Sequence, residues 1–195
     1  NTARRIIATT PGAKRDLVRR GWSGDKIDVV ELGADPHLFK PGCGDGSFRA
    51  THGLEDRFVA LFPGAHGIAN GLDNVVDAAK VLQDRDSRVT IVFVGRGQTK
   101  PALQAQAKRL NLTNVLFLDP IPKVELAKVI DEIDVGLAVL KPCGILDKIL
   151  SNKMFDFMAA GIPIVANLPG DMAAILDGEG CGKVVLPYTP ERLAD

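Results

Sequence analysis

The strongest constraint on the fold of this chain is a regular alternation between predominantly apolar segments of strand length and segments with helical periodicity. The strands are predicted at residues 57–62, 89–94, 115–118, 135–140, 162–166 and 183–186. The helices are predicted at residues 70–82, 100–110, 124–130, 149–160 and 172–176. Strands that are apolar on both faces and alternate with helices are typical of a parallel sheet covered on each side. We therefore predict an α/β fold, a Rossmann-like doubly wound parallel sheet with helices on both faces.

The first part of the chain departs from this pattern. A short strand is predicted at 4–8, a helix follows it, and a second strand is predicted at 26–30. Residues 40–45 combine proline with glycine, which is typical of a linker. We therefore expect residues 1–45 to form a separate N-terminal segment and residues 46–195 to form the main domain. Because the sequence starts directly with a strand, without an initiating methionine or a signal peptide, we interpret it as part of a longer protein.

Composition limits the classes of function. Lysine plus arginine and aspartate plus glutamate each number 24, which gives a formal net charge of zero, whereas nucleic-acid-binding domains usually carry a basic surplus. The cysteines Cys43, Cys143 and Cys181 lack the paired spacing of a zinc site or a disulfide framework. We therefore expect no nucleic-acid partner, no metal site and a reducing, cytoplasmic environment.

In a doubly wound sheet the ligand binds outside the carboxyl ends of the strands, so the loops that leave the strands are the candidate site. The first loop contains Gly64, His66 and Gly67. Glycines allow the backbone to approach a ligand closely, and an imidazole there could donate to a phosphate or stabilise a leaving group. The second loop contains Gly95 and Gly97. The alternatives are a flexible turn for the first loop and a tight strand-to-helix turn for the second.

The next observations concern the nucleotide. The pair Gly95 and Gly97 is similar to the start of a dinucleotide fingerprint, but Lys100 stands where that fingerprint has its third glycine, which argues against NAD. The third loop contains Pro120 and Ile121, which could form a rigid shelf for a flat base or an ordinary turn.

The fourth loop leads into the helix predicted at 149–160. Ser151 and Asn152 could cap the free N–H groups of its first turn, and Lys153 adds charge where the helix dipole already attracts an anion. Asp156 shares a helix face with Lys153, so the carboxylate could hold ribose hydroxyls while the ammonium meets a diphosphate. The alternative is a solvated ion pair between these two side chains, worth ~0.2–0.5 kcal/mol.

Residues 151–166, Ser-Asn-Lys-Met-Phe-Asp-Phe-Met-Ala-Ala-Gly-Ile-Pro-Ile-Val-Ala, resemble the signature of glycosyltransferase family 4, a group of retaining enzymes with the GT-B fold. The resemblance continues, in the same order along the chain, in residues 29–35, 39–41, 71–73, 91–97 and 115–118. The Met-Ala-Ala-Gly-Ile-Pro block is fairly specific, whereas the glycine pairs alone are not. The Ser-Asn-Lys variant is similar to a bacterial subgroup that builds surface polysaccharides, often from amino sugars.

The resemblance implies that this chain is the C-terminal, donor-binding half of such an enzyme, with the acceptor-binding N-terminal domain outside it. It implies a nucleotide-diphospho-sugar donor, with UDP as the expected nucleotide, and a polysaccharide or lipid-linked acceptor. Residues 1 to about 10 would be the last strand of the N-terminal domain. We expect the chain alone to be inactive, and the full-length protein to be cytoplasmic, with peripheral association at the inner face of the membrane left open.

The resemblance also assigns roles to the residues of the loops. It places the base against Pro120 and Ile121, the ribose on Asp156 and the diphosphate near Ser151. Catalysis in the family needs no metal ion or cofactor and consists chiefly of stabilising the departing diphosphate. Lys153 is a candidate for that role. His66 in the first loop is a second one.

Two positions depart from the family pattern. Many members carry an acidic residue at the position of Lys148 and a basic residue at the position of Asn70, and Lys153 could replace the missing cation. Three alternatives therefore stay open: a nucleotide-sugar epimerase of the same fold, an NAD-binding oxidoreductase domain, and a non-catalytic domain that kept the fold for protein contacts.

Overall fold

The computed structural model of the chain describes residues 3–195, and Asn1 and Thr2, which open the predicted N-terminal segment, lie outside the described residues. The described part contains two parallel sheets, one of two strands and one of six. The larger sheet has helices on both faces, which confirms the predicted fold class.

The small sheet belongs to the predicted N-terminal segment. It pairs β1 (Ile6–Ala8) with β2 (Ile27–Val29) in parallel, and α1 (Pro11–Arg19) connects the two strands. Thr10 ends the extended backbone and caps α1, because its hydroxyl accepts a hydrogen bond from the N–H of Ala13 at 2.8 Å.

The large sheet is built from strands and helices that alternate along the chain. Its strands are β3 (Phe58–Pro63), β4 (Val89–Val94), β5 (Val115–Leu118), β6 (Val135–Ala138), β7 (Ile164–Ala166) and β8 (Gly182–Val184). The helices around it are α2 (Ser47–His52), α3 (Leu72–Asp84), α4 (Lys100–Arg109), α5 (Lys123–Asp131), α6 (Asn152–Ala159), α7 (Asp171–Glu179) and α8 (Pro190–Ala194).

The order of the strands defines where a ligand site can form. Neighbouring strands follow the order β5-β4-β3-β6-β7-β8, and every pairing is parallel. From β3 the chain moves outward to β5, and after β6 it moves outward in the opposite direction to β8. The direction therefore reverses between β3 and β6, and a crevice opens at the carboxyl ends of these strands.

The core explains why the strands are apolar throughout. On β3, Val59 and Leu61 belong to the hydrophobic cluster that includes residues of α5 and α6, whereas Ala60 and Phe62 belong to the cluster formed with α3 and α4. All four side chains are at most 5% exposed. Burial of a side chain the size of leucine or phenylalanine stabilises the fold by ~1.5–3 kcal/mol. Both faces of the sheet are therefore held by hydrophobic burial.

One strand ends earlier than its sequence indicates. The apolar run predicts a strand at 135–140, but β6 ends at Ala138. Beyond it, the N–H and C=O of Leu140 pair with the side chain of Asn167, at 2.9 and 2.6 Å, rather than with a neighbouring strand. The buried side-chain amide of Asn167 thus continues the pattern of hydrogen bonds between the strands at the ends of β6 and β7.

The helix that carries the fourth candidate loop also differs from its prediction. The periodicity predicts a helix from residue 149, but the backbone of Ile149 is extended (φ −111°, ψ 134°) after a 3₁₀ turn at Leu146–Lys148. The helix α6 begins at Asn152. The short helices α2 and α8 are absent from the sequence prediction, because they contain only 6 and 5 residues and show little periodicity.

Candidate functional site

A cavity of about 350 Å³ lies at the carboxyl ends of β3, β4 and β5. It is lined by Gly64, Ala65, Val94, Gly95, Arg96, Pro120, Ile121 and Leu126. Six of these residues come from three different loops, and Val94 of β4 and Leu126 of α5 complete the lining. The fold thus brings together groups that the sequence singled out separately. Gly64, Gly95, Pro120 and Ile121 are the predicted site residues among them.

Two glycines allow the first and second loops to touch. A Cβ atom on Gly95 would lie 1.9 Å from the carbonyl oxygen of Gly64, and a Cβ atom on Gly97 would lie 2.3 Å from that of His66. Both approaches are far inside van der Waals contact. The N–H of His66 donates to the carbonyl of Arg96 at 2.9 Å, which joins the loops directly. Through their lack of a side chain, Gly95 and Gly97 therefore let the two loops pack together, with Gly95 lining the cavity and Gly97 outside its lining.

The fourth predicted glycine of this region lies beside the cavity rather than in it. Gly67 lines a smaller neighbouring cavity of about 190 Å³, together with Gly71, Thr99 and Lys141. In the same loop, the side-chain amide of Asn70 donates to the carbonyl of Ala65 at 2.7 Å. Asn70, which stands where the resembling enzymes carry a cation, thus braces the loop internally.

His66 is fully buried beneath the two glycine loops. Its ring packs beside those of Phe62 and Phe93, with centroid distances of 6.3 and 5.9 Å. Within residues 3–195, neither ring nitrogen has a hydrogen-bond partner. Burial lowers the pKa of His66, and the ammonium groups of Lys100 and Lys153 lower it further, so the imidazole is neutral at pH 7. The structure places His66 behind Gly95 and outside the residues that line the cavity.

Lys153, in the first turn of α6, reaches back toward the same loop. Its Nζ lies 3.6 Å from the centroid of the Phe62 ring and would be 3.8 Å from a Cβ atom on Gly64. No carboxylate of the described residues lies within 4 Å of this ammonium, so the alternative ion pair with Asp156 does not form. Burial lowers the pKa of Lys153 to about 7. A partly buried cation without an anionic partner would be stabilised by a bound anion.

The start of α6 offers further donors to an anion. Ser151 occupies the capping position with extended backbone, but within the described part of the chain its side chain makes no capping hydrogen bond. The first N–H groups of a helix lack intrahelical acceptors, and they carry the positive end of the helix dipole. The helix is held against β6 because Gly136 has no side chain: a Cβ atom there would lie 2.4 Å from the Phe157 ring. Ser151, Asn152 and Lys153 therefore present a fixed, electropositive helix terminus.

Asp156 lies one turn further along α6 and is partly buried. Burial raises the pKa of its carboxyl group, while the nearby ammonium of Lys123 opposes that shift. The described residues supply no hydrogen-bond donor to this carboxylate. Its oxygens are thus available to accept hydrogen bonds from a ligand.

Two residues at the cavity were missed as site residues in the sequence. Arg96 lines the cavity and is exposed. Lys100 ties the ends of β4 and β5 together, since its Nζ donates to the carbonyls of Gly95 and Leu118 at 3.0 and 2.8 Å and to Asp119 at 2.7 Å. In the sequence, this lysine stands at the start of a helix after a glycine pair. There it served only as an argument against an NAD-binding fingerprint.

Two further findings concern metal binding and membrane-spanning helices. The part of the chain that the structure describes contains no cluster of three or more histidine, cysteine or acidic side chains arranged to hold a metal ion. Among residues 3–195, no helix combines the length and apolar character needed to cross a bilayer.

The model of the family "Glycosyl transferases, group 1" matches residues 57–195, which include every strand of the large sheet. The chain belongs to this family of glycosyltransferases. The D-inositol 3-phosphate glycosyltransferase of Frankia alni is 31% identical over 204 residues, which cover 98% of this chain and 48% of the relative. The enzyme of the same name from Rhodococcus opacus is 32% identical over 186 residues, covering 90% and 40%.

Solved structures agree on the fold of this glycosyltransferase domain. Anabaena HepE, in complex with UDP and glucose, superimposes with a TM-score of 0.82 at 19% identity, over 98% of this chain and 51% of HepE. WaaG, a glycosyltransferase involved in lipopolysaccharide biosynthesis, superimposes with a TM-score of 0.77 at 18% identity, over 97% and 51%. The chain thus has the fold of one half of a GT-B glycosyltransferase and spans about half the length of the relatives that it matches. These matches do not favour the epimerase or the oxidoreductase.

Proposed function

We propose that residues 46–195 form the donor-binding domain of a retaining, family 4 glycosyltransferase, and that residues 1–45 contain the end of its N-terminal domain and the inter-domain segment. The enzyme transfers a hexosyl or N-acetylaminosugar group from a UDP-sugar to a polysaccharide or lipid-linked acceptor in the cytoplasm. The observation that carries this proposal is the unpaired ammonium of Lys153, held beside Gly64 at the N-terminus of α6 where the strand order reverses.

The diphosphate of the donor would bind between the first loop and α6. Gly64 leaves room for phosphate oxygens beside the ammonium of Lys153, and the first N–H groups of α6, at Asn152 and Lys153, are further donors for them. Ser151 is free to donate its hydroxyl, because it is not used as a cap. Several donors and a cation would then meet the two phosphate charges.

The nucleoside would occupy the cavity of about 350 Å³. The base lies against Pro120 and Ile121, with Gly95 opposite them and the Arg96 guanidinium at the rim. The carboxylate of Asp156 accepts hydrogen bonds from the ribose hydroxyls. In this arrangement the sugar points away from β5, toward the crevice between β3 and β6, where an acceptor held by the N-terminal domain would approach.

Catalysis would consist of stabilising the negative charge that develops on the leaving diphosphate. Lys153 and the start of α6 supply that stabilisation, which requires neither a metal ion nor a cofactor. His66 is neutral and lies behind Gly95, so its role in this proposal is to support the glycine loops under the diphosphate. Lipid-linked and polysaccharide acceptors agree with the involvement of WaaG in lipopolysaccharide biosynthesis, and the acceptor would bind outside this chain.

Calorimetric titration of this chain with UDP, GDP, ADP and NAD, in EDTA and then with magnesium, tests the proposal. We expect binding of UDP that is selective and unchanged by the metal ion. Selective binding of NAD would support the oxidoreductase alternative instead. Failure of the folded chain to bind any of the four would contradict the assignment of the donor site to these residues.

The affinity for the donor should fall as the pH rises through neutrality. Lys153 is charged below its pKa of about 7 and neutral above it, whereas burial lowers the pKa of His66 from its ordinary value and so away from neutrality. We expect the affinity for UDP-glucose, whose diphosphate does not titrate near pH 7, to fall roughly tenfold between pH 6.5 and 8.5. Lys153→Arg, which keeps its charge, should show a flat profile over this range. A flat profile in the unmodified chain would show that Lys153 does not set the affinity.

A further inference from the structure

Helix α1 of the N-terminal segment contacts the donor-binding domain at one compact junction. The hydroxyl of Thr10, which is fully buried, donates to the carbonyl of Lys148 at 2.9 Å. The Nζ of Lys148 donates to Asp16 at 2.9 Å, and the two side chains are only 17% and 19% exposed. The chain distance between these partners exceeds 130 residues, so the contact joins two parts of the fold that are remote in sequence.

The start of α7 completes this junction. The carboxylate of Asp171 accepts hydrogen bonds from the N–H of Gly12 at 2.5 Å and from the guanidinium of Arg15 at 2.8 Å. A Cβ atom on Gly12 would lie 2.6 Å from this carboxylate, and one on Gly170 would lie 2.2 Å from the carbonyl oxygen of Asp147. At Gly12 and Gly170, therefore, α1, the Leu146–Lys148 turn and the start of α7 approach one another more closely than any side chain would allow.

The Leu146–Lys148 turn leads directly into the proposed diphosphate site. After Lys148, the extended Ile149 and the buried Leu150 connect the turn to Ser151. Since the first turn of α6 lacks a side-chain cap within the described residues, the incoming chain is what fixes its N–H groups. A displacement of the turn would therefore move the start of α6.

We infer that Asp16 and Lys148 are a positioning pair, which anchors the Leu146–Lys148 turn on α1 and so sets where α6 presents Ser151, Asn152 and Lys153 to the donor. This inference rests on the proposed function. Lys148 does not line the cavity at β3, β4 and β5, and its ammonium is used by Asp16. The hydrogen bond from Lys148 is the largest cause that lowers the pKa of Asp16. Many of the resembling enzymes carry an acidic residue at this position, and in this chain the lysine there serves as an anchor.

The test combines Lys148→Met, Asp16→Asn and their double variant with the conservative Lys148→Arg. We expect each of the first two to weaken UDP binding by about fivefold, the double variant to weaken it no further, and Lys148→Arg to stay within about twofold of the unmodified chain. Lys80→Met is the matched control, because Lys80 pairs with Asp84 on α3, away from the junction. It should leave UDP binding unchanged.

Hydrogen exchange of the free chain provides a readout that does not depend on UDP. The amides of residues 149–153 should exchange at least about tenfold faster in Lys148→Met and in Asp16→Asn, but not in Lys148→Arg, while those of β3 and β4 keep their protection. Unchanged exchange and unchanged UDP affinity in both Lys148→Met and Asp16→Asn would overturn the inference. A loss of thermal stability without faster exchange and without weaker UDP binding would overturn it as well. If the unmodified chain fails to bind UDP, the proposed function fails, and the exchange data still decide whether the pair positions α6. Asp16→Asn decides the question if Lys148→Met does not fold.

Discussion

Lys153→Met is expected to weaken UDP binding about thirtyfold, which corresponds to about 2 kcal/mol of a charge-assisted interaction. The ammonium stands beside Gly64 and Phe62 with no carboxylate of the described residues within 4 Å, so a diphosphate would be its principal electrostatic partner. Calorimetric titration at pH 6.5, where most of the lysine is charged, measures the change.

The same variant should be at least as stable as the unmodified chain. Burial lowers the pKa of Lys153 because the charged form is poorly solvated, and a methionine side chain would pack against Phe62 without that cost. Lys108→Met, an exposed lysine near the end of α4, is the matched control and should change neither property. If Lys153→Met binds UDP as the unmodified chain does, or loses affinity only through loss of folding, Lys153 is not a donor contact.

Gly95→Ala is expected to have the largest effect of any single substitution at the site. The new Cβ atom would lie 1.9 Å from the carbonyl oxygen of Gly64, and the φ angle of 153° at Gly95 is one that alanine rarely adopts. The neighbouring atom is backbone within a hydrogen-bonded loop, so neither loop can yield without losing its contacts. We expect a loss of at least about 3 kcal/mol in the free energy of unfolding, together with loss of UDP binding.

Chemical unfolding and titration with UDP measure both effects of Gly95→Ala. Gly178→Ala is the control, because a Cβ atom at that position in α7 would have no neighbour within 4 Å among the described residues, apart from the adjacent residues and the backbone of the helix itself. It should raise the unfolding free energy by about 0.5–1 kcal/mol and leave UDP binding unchanged. Stability and affinity of Gly95→Ala within error of the unmodified chain would show that the loops after β3 and β4 do not meet as described.

Periodicity predicted most of the fold, because burial on both faces of a parallel sheet leaves a direct signal in the sequence. The boundaries that it missed depend on single contacts. The amide of Asn167 takes over the ladder beyond Ala138, and nothing in the run 135–140 indicates this. The order of the strands in the large sheet cannot be read from the local sequence pattern either. It follows from how the two hydrophobic clusters, one on each face of the sheet, pack. The family resemblance, and not the periodicity, indicated the GT-B architecture.

The sequence predicted which loops form the candidate site, but not how these loops are arranged relative to one another. The positions of Gly64 and Gly95 after strands could be read directly, whereas their mutual contact required the register of β3 with β4. A glycine-rich loop has no periodicity that separates inward from outward side chains, which is why the burial of His66 was not foreseen. The partner of Lys148 is too distant in sequence for any local pattern to indicate it.

In the proposed donor site, UDP binds between the first glycine loop and the start of α6. Titrating the ¹⁵N-labelled chain with UDP and following its backbone amide resonances tests this most directly. We expect the largest shifts at Gly64, Gly95, Ile121, Asn152 and Lys153, with the amides of β8 unaffected. Shifts confined to other parts of the chain, or none at UDP concentrations of several millimolar, would contradict the assignment of the donor site.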